Sequence, residues 1–164
     1  MPKHNLFVIM GVSGTGKTTI GKLLSKQLNI PFFDGDDFHP EANIIKMASG
    51  KPLNDNDRHD WLVALNQLLK SKEDTSGAIV ACSALKASYR TILRHDIHGR
   101  LHFIFLEGSF ELIQSRLQQR KGHFMTSQLL QSQFDALEIP QQAIVVSIAD
   151  TPDKIIQDIQ NQLK

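Results

Sequence analysis

The sequence predicts an α/β fold in which a parallel sheet is covered on both faces by helices. Three observations predict it. Short apolar runs of strand length alternate with amphipathic stretches throughout the chain. The runs are nearly continuous rather than alternating, as in strands buried on both faces. A glycine-rich turn ending in lysine and threonine joins the first run to the first amphipathic stretch. Crossovers between such strands are right-handed.

Taken in order, Leu6–Met10 is a buried strand that stops at Gly11. Ile20, Leu23, Leu24 and Leu28 recur at helical spacing behind it. Ile30–Phe33 is a second short strand, entered at Pro31 and ended by Asp34-Gly35. A short helix is expected from about Glu41 to Ala48, and Trp61, Leu62, Leu65, Leu68 and Leu69 give a clear helical stripe. Ala78–Cys82 is a third strand and Leu85–Arg94 a helix. Leu101–Leu106 is a fourth strand, followed by a helix carrying Phe110, Ile113 and Leu117. Gly122 interrupts that stretch before a helix around Leu129–Leu137. Ala143–Ile148 is a fifth strand, and the last helix runs through Ile155, Ile156 and Ile159.

At 164 residues, without repeats or a linker-like segment, the chain reads as one domain over 1–164. Lys and Arg number 18 against 17 Asp and Glu, a net charge of +1. No global field recruits nucleic acid or an anionic membrane, so any anion must be held by a local site. The only cysteine is Cys82, which excludes an internal disulfide and a cysteine-rich zinc site. The first apolar run is too short for a signal-peptide core or a bilayer span. These features fit a cytoplasmic protein.

Gly11-Val12-Ser13-Gly14-Thr15-Gly16-Lys17-Thr18 matches the phosphate-loop pattern G-x-x-x-x-G-K-[ST] in full, directly after a strand and opening a helix. Glycines let the backbone turn its N–H groups around a phosphate, and the helix N-terminus adds positive charge. Lys17 is expected on the β- and γ-phosphates of a nucleoside triphosphate, and the Thr18 hydroxyl on Mg²⁺. A guanine-nucleotide switch is disfavoured: no Asn-Lys pair occurs, and the two D-x-x-G matches, Asp74–Gly77 and Asp96–Gly99, precede strands. A small-molecule kinase needs an acidic group near the loop to take a hydroxyl proton. Asp34-Gly35-Asp36-Asp37 follows the second strand, and C-terminal strand ends line one crevice in parallel sheets. An ordinary acidic turn is the alternative.

Beyond the loop, Asp34-Gly35-Asp36-Asp37-Phe38-His39-Pro40, Asn43, Lys46-Met47, Gly50-Lys51-Pro52-Leu53 and Asp55-Asn56-Asp57-Arg58 resemble the gluconate kinase family. So do Cys82-Ser83-Ala84-Leu85-Lys86 with Tyr89-Arg90, and Arg120-Lys121-Gly122-His123-Phe124-Met125 with Ser132-Gln133. The resemblance extends from about Leu6 to Pro140. It implies a P-loop nucleoside-kinase-like three-layer α/β/α fold, similar to shikimate and adenylate kinases, with a five-stranded parallel sheet and a helical lid at about 116–137. It implies ATP-dependent phosphorylation of D-gluconate to 6-phospho-D-gluconate with Mg²⁺, and suggests a homodimer. The family pattern has proline just before the tryptophan. Here Asp60-Trp61 stands instead, which leaves the start of the local helix open.

By analogy with such kinases, Asp36 holds the attacking hydroxyl and Asp34 lies in the outer shell of Mg²⁺. Lys46, Arg58, Lys86, Tyr89 and Arg90 are candidates for the polyol carboxylate, with solvated charge or packing as the alternative for each. His39 is placed either on substrate or in local hydrogen bonding. Arg120, ahead of Arg116, is a candidate lid arginine for the transferring phosphoryl group. The alternative is a basic helix end favoured by the helix dipole. His95, His98 and His102 have metal-like spacing, but Gly99 separates the last from the others. Cys82 and Trp61 read as packing residues. Spacing alone does not distinguish gluconate from another polyol acid such as shikimate, or from a regulator that binds nucleotide without turnover.

Overall fold

The computed structural model describes residues 4–98, 100–119 and 126–163. The elements run β1 (Asn5–Met10), α1 (Lys17–Leu28), β2 (Phe32–Asp34), a 3₁₀ turn (Gly35–Phe38), α2 (Glu41–Ala48), α3 (Asp55–Lys72) and β3 (Ala78–Ala81). They continue with α4 (Ala87–Arg94), β4 (Arg100–Glu107), α5 (Phe110–Gln119), α6 (Ser127–Ala136), β5 (Ile144–Ser147) and α7 (Pro152–Leu163). The five strands form one sheet in the order β2-β3-β1-β4-β5. Every pairing is parallel. Val8 stands in register with Val80 on one side and Phe103 on the other, so β1 is flanked along its length.

Strand alternation splits the core into two layers. Phe7 and Ile9 of β1 pack with Ile104 and Leu106 of β4 against Ile20, Leu24, Ile113, Leu130, Ile155 and Ile159. Leu6, Val8 and Met10 point the other way, with Phe103 and Phe105, onto Trp61, Leu62, Leu65, Leu69 and Leu93. Helices α1, α5, α6 and α7 thus cover one face, and α3 and α4 the other. Both layers are needed to keep the central strands dry.

Several boundaries differ from expectation by a residue or two, and two have a visible cause. The second strand is Phe32–Asp34, shifted from Ile30–Phe33. The Ile30 N–H turns back to the Ser25 carbonyl at 3.3 Å, and Pro31 has no N–H to offer a ladder. Helix α3 starts at Asp55, well before Trp61, because Asn54 and Asp57 form a capping box. Each side chain takes the other's backbone N–H, at 2.8 and 2.9 Å. Asp60-Trp61 is therefore helix interior. Helix α4 ends at Arg94, before all three histidines of the suspected metal spacing. Of these, His98 meets Asp96 at 3.0 Å and His102 stacks on Phe7. Gly99, Arg120 and the rest of 120–125 lie outside the described residues.

Candidate active site

β1 leads directly into the phosphate loop at the C-terminal edge of the sheet. Gly14 and Gly16 take φ of 85° and 91°, left-handed values that turn successive N–H groups toward one concavity. The loop is fastened from below: the Gly11 N–H donates to the Ser83 carbonyl at 3.2 Å, beyond the end of β3, and the Thr15 hydroxyl donates to the Val12 carbonyl at 3.0 Å. Lys17 Nζ donates to the Gly11 and Val12 carbonyls, each at 3.0 Å, so the ammonium lies back over the loop. Thr18 is exposed in the first turn of α1.

The acidic turn is built at the end of β2, two strands away. Asp34 accepts the Asp36 N–H at 3.0 Å and so starts the 3₁₀ turn. Gly35 is buried against β3, where a Cβ would run into the Ala81 carbonyl. The Trp61 indole N–H donates to the Gly35 carbonyl at 2.7 Å, which ties the turn to α3. The Asp36 side chain is 85% exposed. Its pKa lies above the usual carboxylate value, first because the surrounding cleft walls displace water and next because Asp34 repels its charge. Lys17 pulls the other way, so its ammonium lies close enough to act on this carboxyl. Cys82 is fully buried behind it, and burial pushes the thiol up to about 12, so it stays a neutral packing group.

A second polar group gathers at the N-terminus of α3. Asp55 accepts from the Tyr89 hydroxyl at 2.5 Å and from Lys86 Nζ at 3.3 Å, with Arg58 4.0 Å away. Arg58 also donates to the Tyr89 oxygen at 3.4 Å. Asp57 pairs with Lys46 at 2.6 Å. Both aspartates lie below the ordinary carboxylate pKa, Asp55 mainly through the Tyr89 hydrogen bond and Asp57 mainly through that from Lys46. Leu53, Asn54, Asp55, Asn56, Arg58 and Lys86 line an open hollow of about 550 Å³.

On the other side of the phosphate loop, a cleft of about 380 Å³ runs between Gly14–Gly16 and the segment Ile148–Pro152, walled by Arg116 and Ile155. Arg116 is held there by a hydrogen bond to the Ile148 carbonyl. From α6, Gln133 accepts the Ser13 N–H at 2.7 Å and donates to its hydroxyl at 3.0 Å, so this helix grips the loop.

Of the sequence-predicted residues, the structure brings the Lys17 charge within reach of Asp36 and gathers Arg58, Lys86 and Tyr89 around Asp55. Lys46 joins the same helix end through Asp57. Arg90 is separate: its guanidinium is buried and donates to the Ala84, Leu85 and Glu138 carbonyls, tying α4 to the chain after α6. Its hydrogen-bonding capacity is directed into the fold. Asp55, Asp57, Asn43 and Gln133 belonged to the matched blocks but were given no role from sequence. The signal for the two aspartates was present, as carboxylates alternating at a capped helix start that preceded a basic residue.

Comparisons with known proteins agree with this geometry. A family model described as shikimate kinase matches residues 13–164. The thermoresistant gluconokinase of Escherichia coli (strain K12) is 44% identical over 162 residues, covering 98% of this chain and 88% of that protein. The thermosensitive gluconokinase of the same strain is 47% identical over 159 residues, covering 96% and 80%. The crystal structure of a gluconokinase from Sinorhizobium meliloti 1021 superposes with a TM-score of 0.88 at 39% identity, covering 99% of this chain and 93% of that one. Similarity at this level, nearly end to end in sequence and in structure, makes the chain a member of the gluconokinase family, within the phosphate-loop kinases.

Proposed function

We propose that the protein transfers the γ-phosphoryl group of ATP to the 6-hydroxyl of D-gluconate, yielding 6-phospho-D-gluconate and ADP. The observation that carries this reading is the nearness of Lys17, at the end of the phosphate loop, to Asp36 in the acidic turn, where the lysine charge acts on the carboxyl. Family membership names the substrate. The hydroxyl oxygen attacks the γ-phosphorus, the bond to the β-bridging oxygen breaks, and the hydroxyl proton passes to Asp36. Loop amides from Gly11 to Thr18 and the Lys17 ammonium offset the charge on the transferring group. Thr18 and Asp34 offer oxygen donors, the kind a hard dication takes. They would hold Mg²⁺, Thr18 directly and Asp34 from the outer shell, and the ion would neutralise phosphate charge.

The cations at the start of α3 suit a polyol carboxylate. Lys46, Arg58, Lys86 and Tyr89 are the groups we assign to it, with His39 beside the reacting end. The cleft between the loop and Ile148–Pro152 suits the base, against Arg116. The remaining assignments follow the sequence reading: one kinase domain in the cytoplasm, a lid over about 116–137 carrying Arg120, and, from the family resemblance, a homodimer. Near-zero net charge supports a small-molecule partner over nucleic acid, and no described helix is long and apolar enough to cross a membrane. A coupled ADP-release assay over gluconate, shikimate, other sugar acids and nucleoside monophosphates tests the reading. Release with gluconate alone is expected; release with shikimate, or with none of them, would overturn it.

A further inference from the structure

The hydrogen bonds around His39 determine which of its nitrogens carries the proton. Asn43 Nδ2 donates to the Asp57 carbonyl at 2.8 Å and stands 3.2 Å from His39 Nδ1. A backbone carbonyl can only accept, so the amide nitrogen, not its oxygen, must occupy that position. His39 Nδ1 is then the acceptor of the second amide hydrogen, and the neutral ring carries its proton on Nε2. The ring is clamped flat on Trp61, with centroids 4.3 Å apart and planes 16° apart, and its side chain is only 6% exposed. Nε2 faces Asp36 Oδ1 at 3.9 Å.

Asp36 itself is 85% exposed, so packing does not choose its rotamer. We infer that His39 is a positioning residue for Asp36: fixed by Asn43 and Trp61, it aims its Nε2–H at the carboxylate and holds it toward the incoming hydroxyl. The inference rests on the kinase reading above and deepens it. Catalytic hydrogen bonds are commonly long before substrate closes the site. Burial lowers the His39 pKa, which keeps the ring in the neutral form that Asn43 requires. Asn43 also joins His39 to the helix end where Asp57 holds Lys46, so the sugar-acid hollow and the base share one rigid support.

Steady-state kinetics of the full chain with gluconate test this. His39→Phe keeps a ring on Trp61 but has no N–H. It is expected to lower kcat about tenfold to a hundredfold, with both KM values within about twofold. His39→Gln can place an amide N–H near the Nε2 position and is expected to restore kcat to within about threefold of the parent. In an Asp36→Asn background the His39→Phe change is expected to cost less than about twofold more, because its target is gone. Equal losses in H39F and H39Q, an additive loss in the double variant, or a raised gluconate KM at unchanged kcat would each overturn the inference. If H39F does not fold by circular dichroism, Asn43→Ala replaces it: a lower kcat at constant KM supports the inference, and an unchanged kcat overturns it. A parent chain inactive on gluconate would instead overturn the kinase reading, and the inference with it.

Discussion

The Tyr89 hydroxyl donates to Asp55 Oδ1 at 2.5 Å, joining the first turn of α4 to the first turn of α3 across 34 residues of sequence. This bond and the Lys86 contact to the same carboxylate shape the hollow assigned to the sugar acid. Tyr89→Phe removes the bond while leaving the ring beneath Arg58. We expect the gluconate KM to rise about threefold to tenfold, with kcat and the ATP KM little changed. Initial rates at varied gluconate check this. An unaltered gluconate KM would leave Tyr89 as packing alone.

Asp36→Asn keeps the shape of the acidic turn and removes the proton acceptor. We expect kcat to fall by about 10²–10⁴ while ATP affinity is nearly preserved. Nucleotide binding by calorimetry, beside turnover, separates the two effects. An Asn variant as fast as the parent would reject the role.

Arg90→Met removes the guanidinium donor from the Ala84 and Glu138 carbonyls of a buried junction, while the Leu85 carbonyl keeps the Glu138 N–H. We expect a loss of stability of about 2–4 kcal/mol in urea unfolding, with the gluconate KM of the folded fraction unchanged. A stable variant with a raised gluconate KM would return Arg90 to the substrate.

Acid should weaken the helix end that holds Lys46. The folded pKa of Asp57 lies below its ordinary value of 3.8. Just below pH 3.8 the native state therefore binds fewer protons than the unfolded chain, and the stability from this pair is full above that pH and lost as pH falls through the folded value. Asp55 acts in the same direction. The difference in urea midpoint between the parent and Asp57→Asn should be largest near pH 7 and shrink below pH 4. A constant difference across that range would show that the ion pair does not contribute.

Local chemistry made much of the molecule legible. The phosphate loop and its flanking strand and helix were readable because all three are contiguous and each residue type has a backbone reason to be there. The helix over Glu41–Ala48 agrees with the reading residue for residue, and the apolar strand runs agree to within a residue or two at most boundaries. The start of α3 was left open by the sequence because it is set by side-chain capping at Asn54 and Asp57, upstream of any apolar signal. Asp34 and Asp36 were readable as candidates, since a strand's C-terminal end in a parallel sheet faces the crevice.

By itself, the sequence determined a parallel α/β core, the phosphate-loop motif from Gly11 to Thr18 and an acidic turn at the end of the second strand, because these depend on neighbours along the chain. Tertiary structure alone decided the strand order that sets β3 between β1 and β2, the use of Arg90 on backbone carbonyls, and the gathering of Lys46, Lys86 and Tyr89 on Asp55 and Asp57. It also decided the surroundings of His39, whose Nδ1 meets Asn43, itself held by a carbonyl of α3. A charged side chain can bind substrate, pair or cap. Which of these it does depends on partners brought close by the crossovers, and their separation in sequence carries no record of that distance.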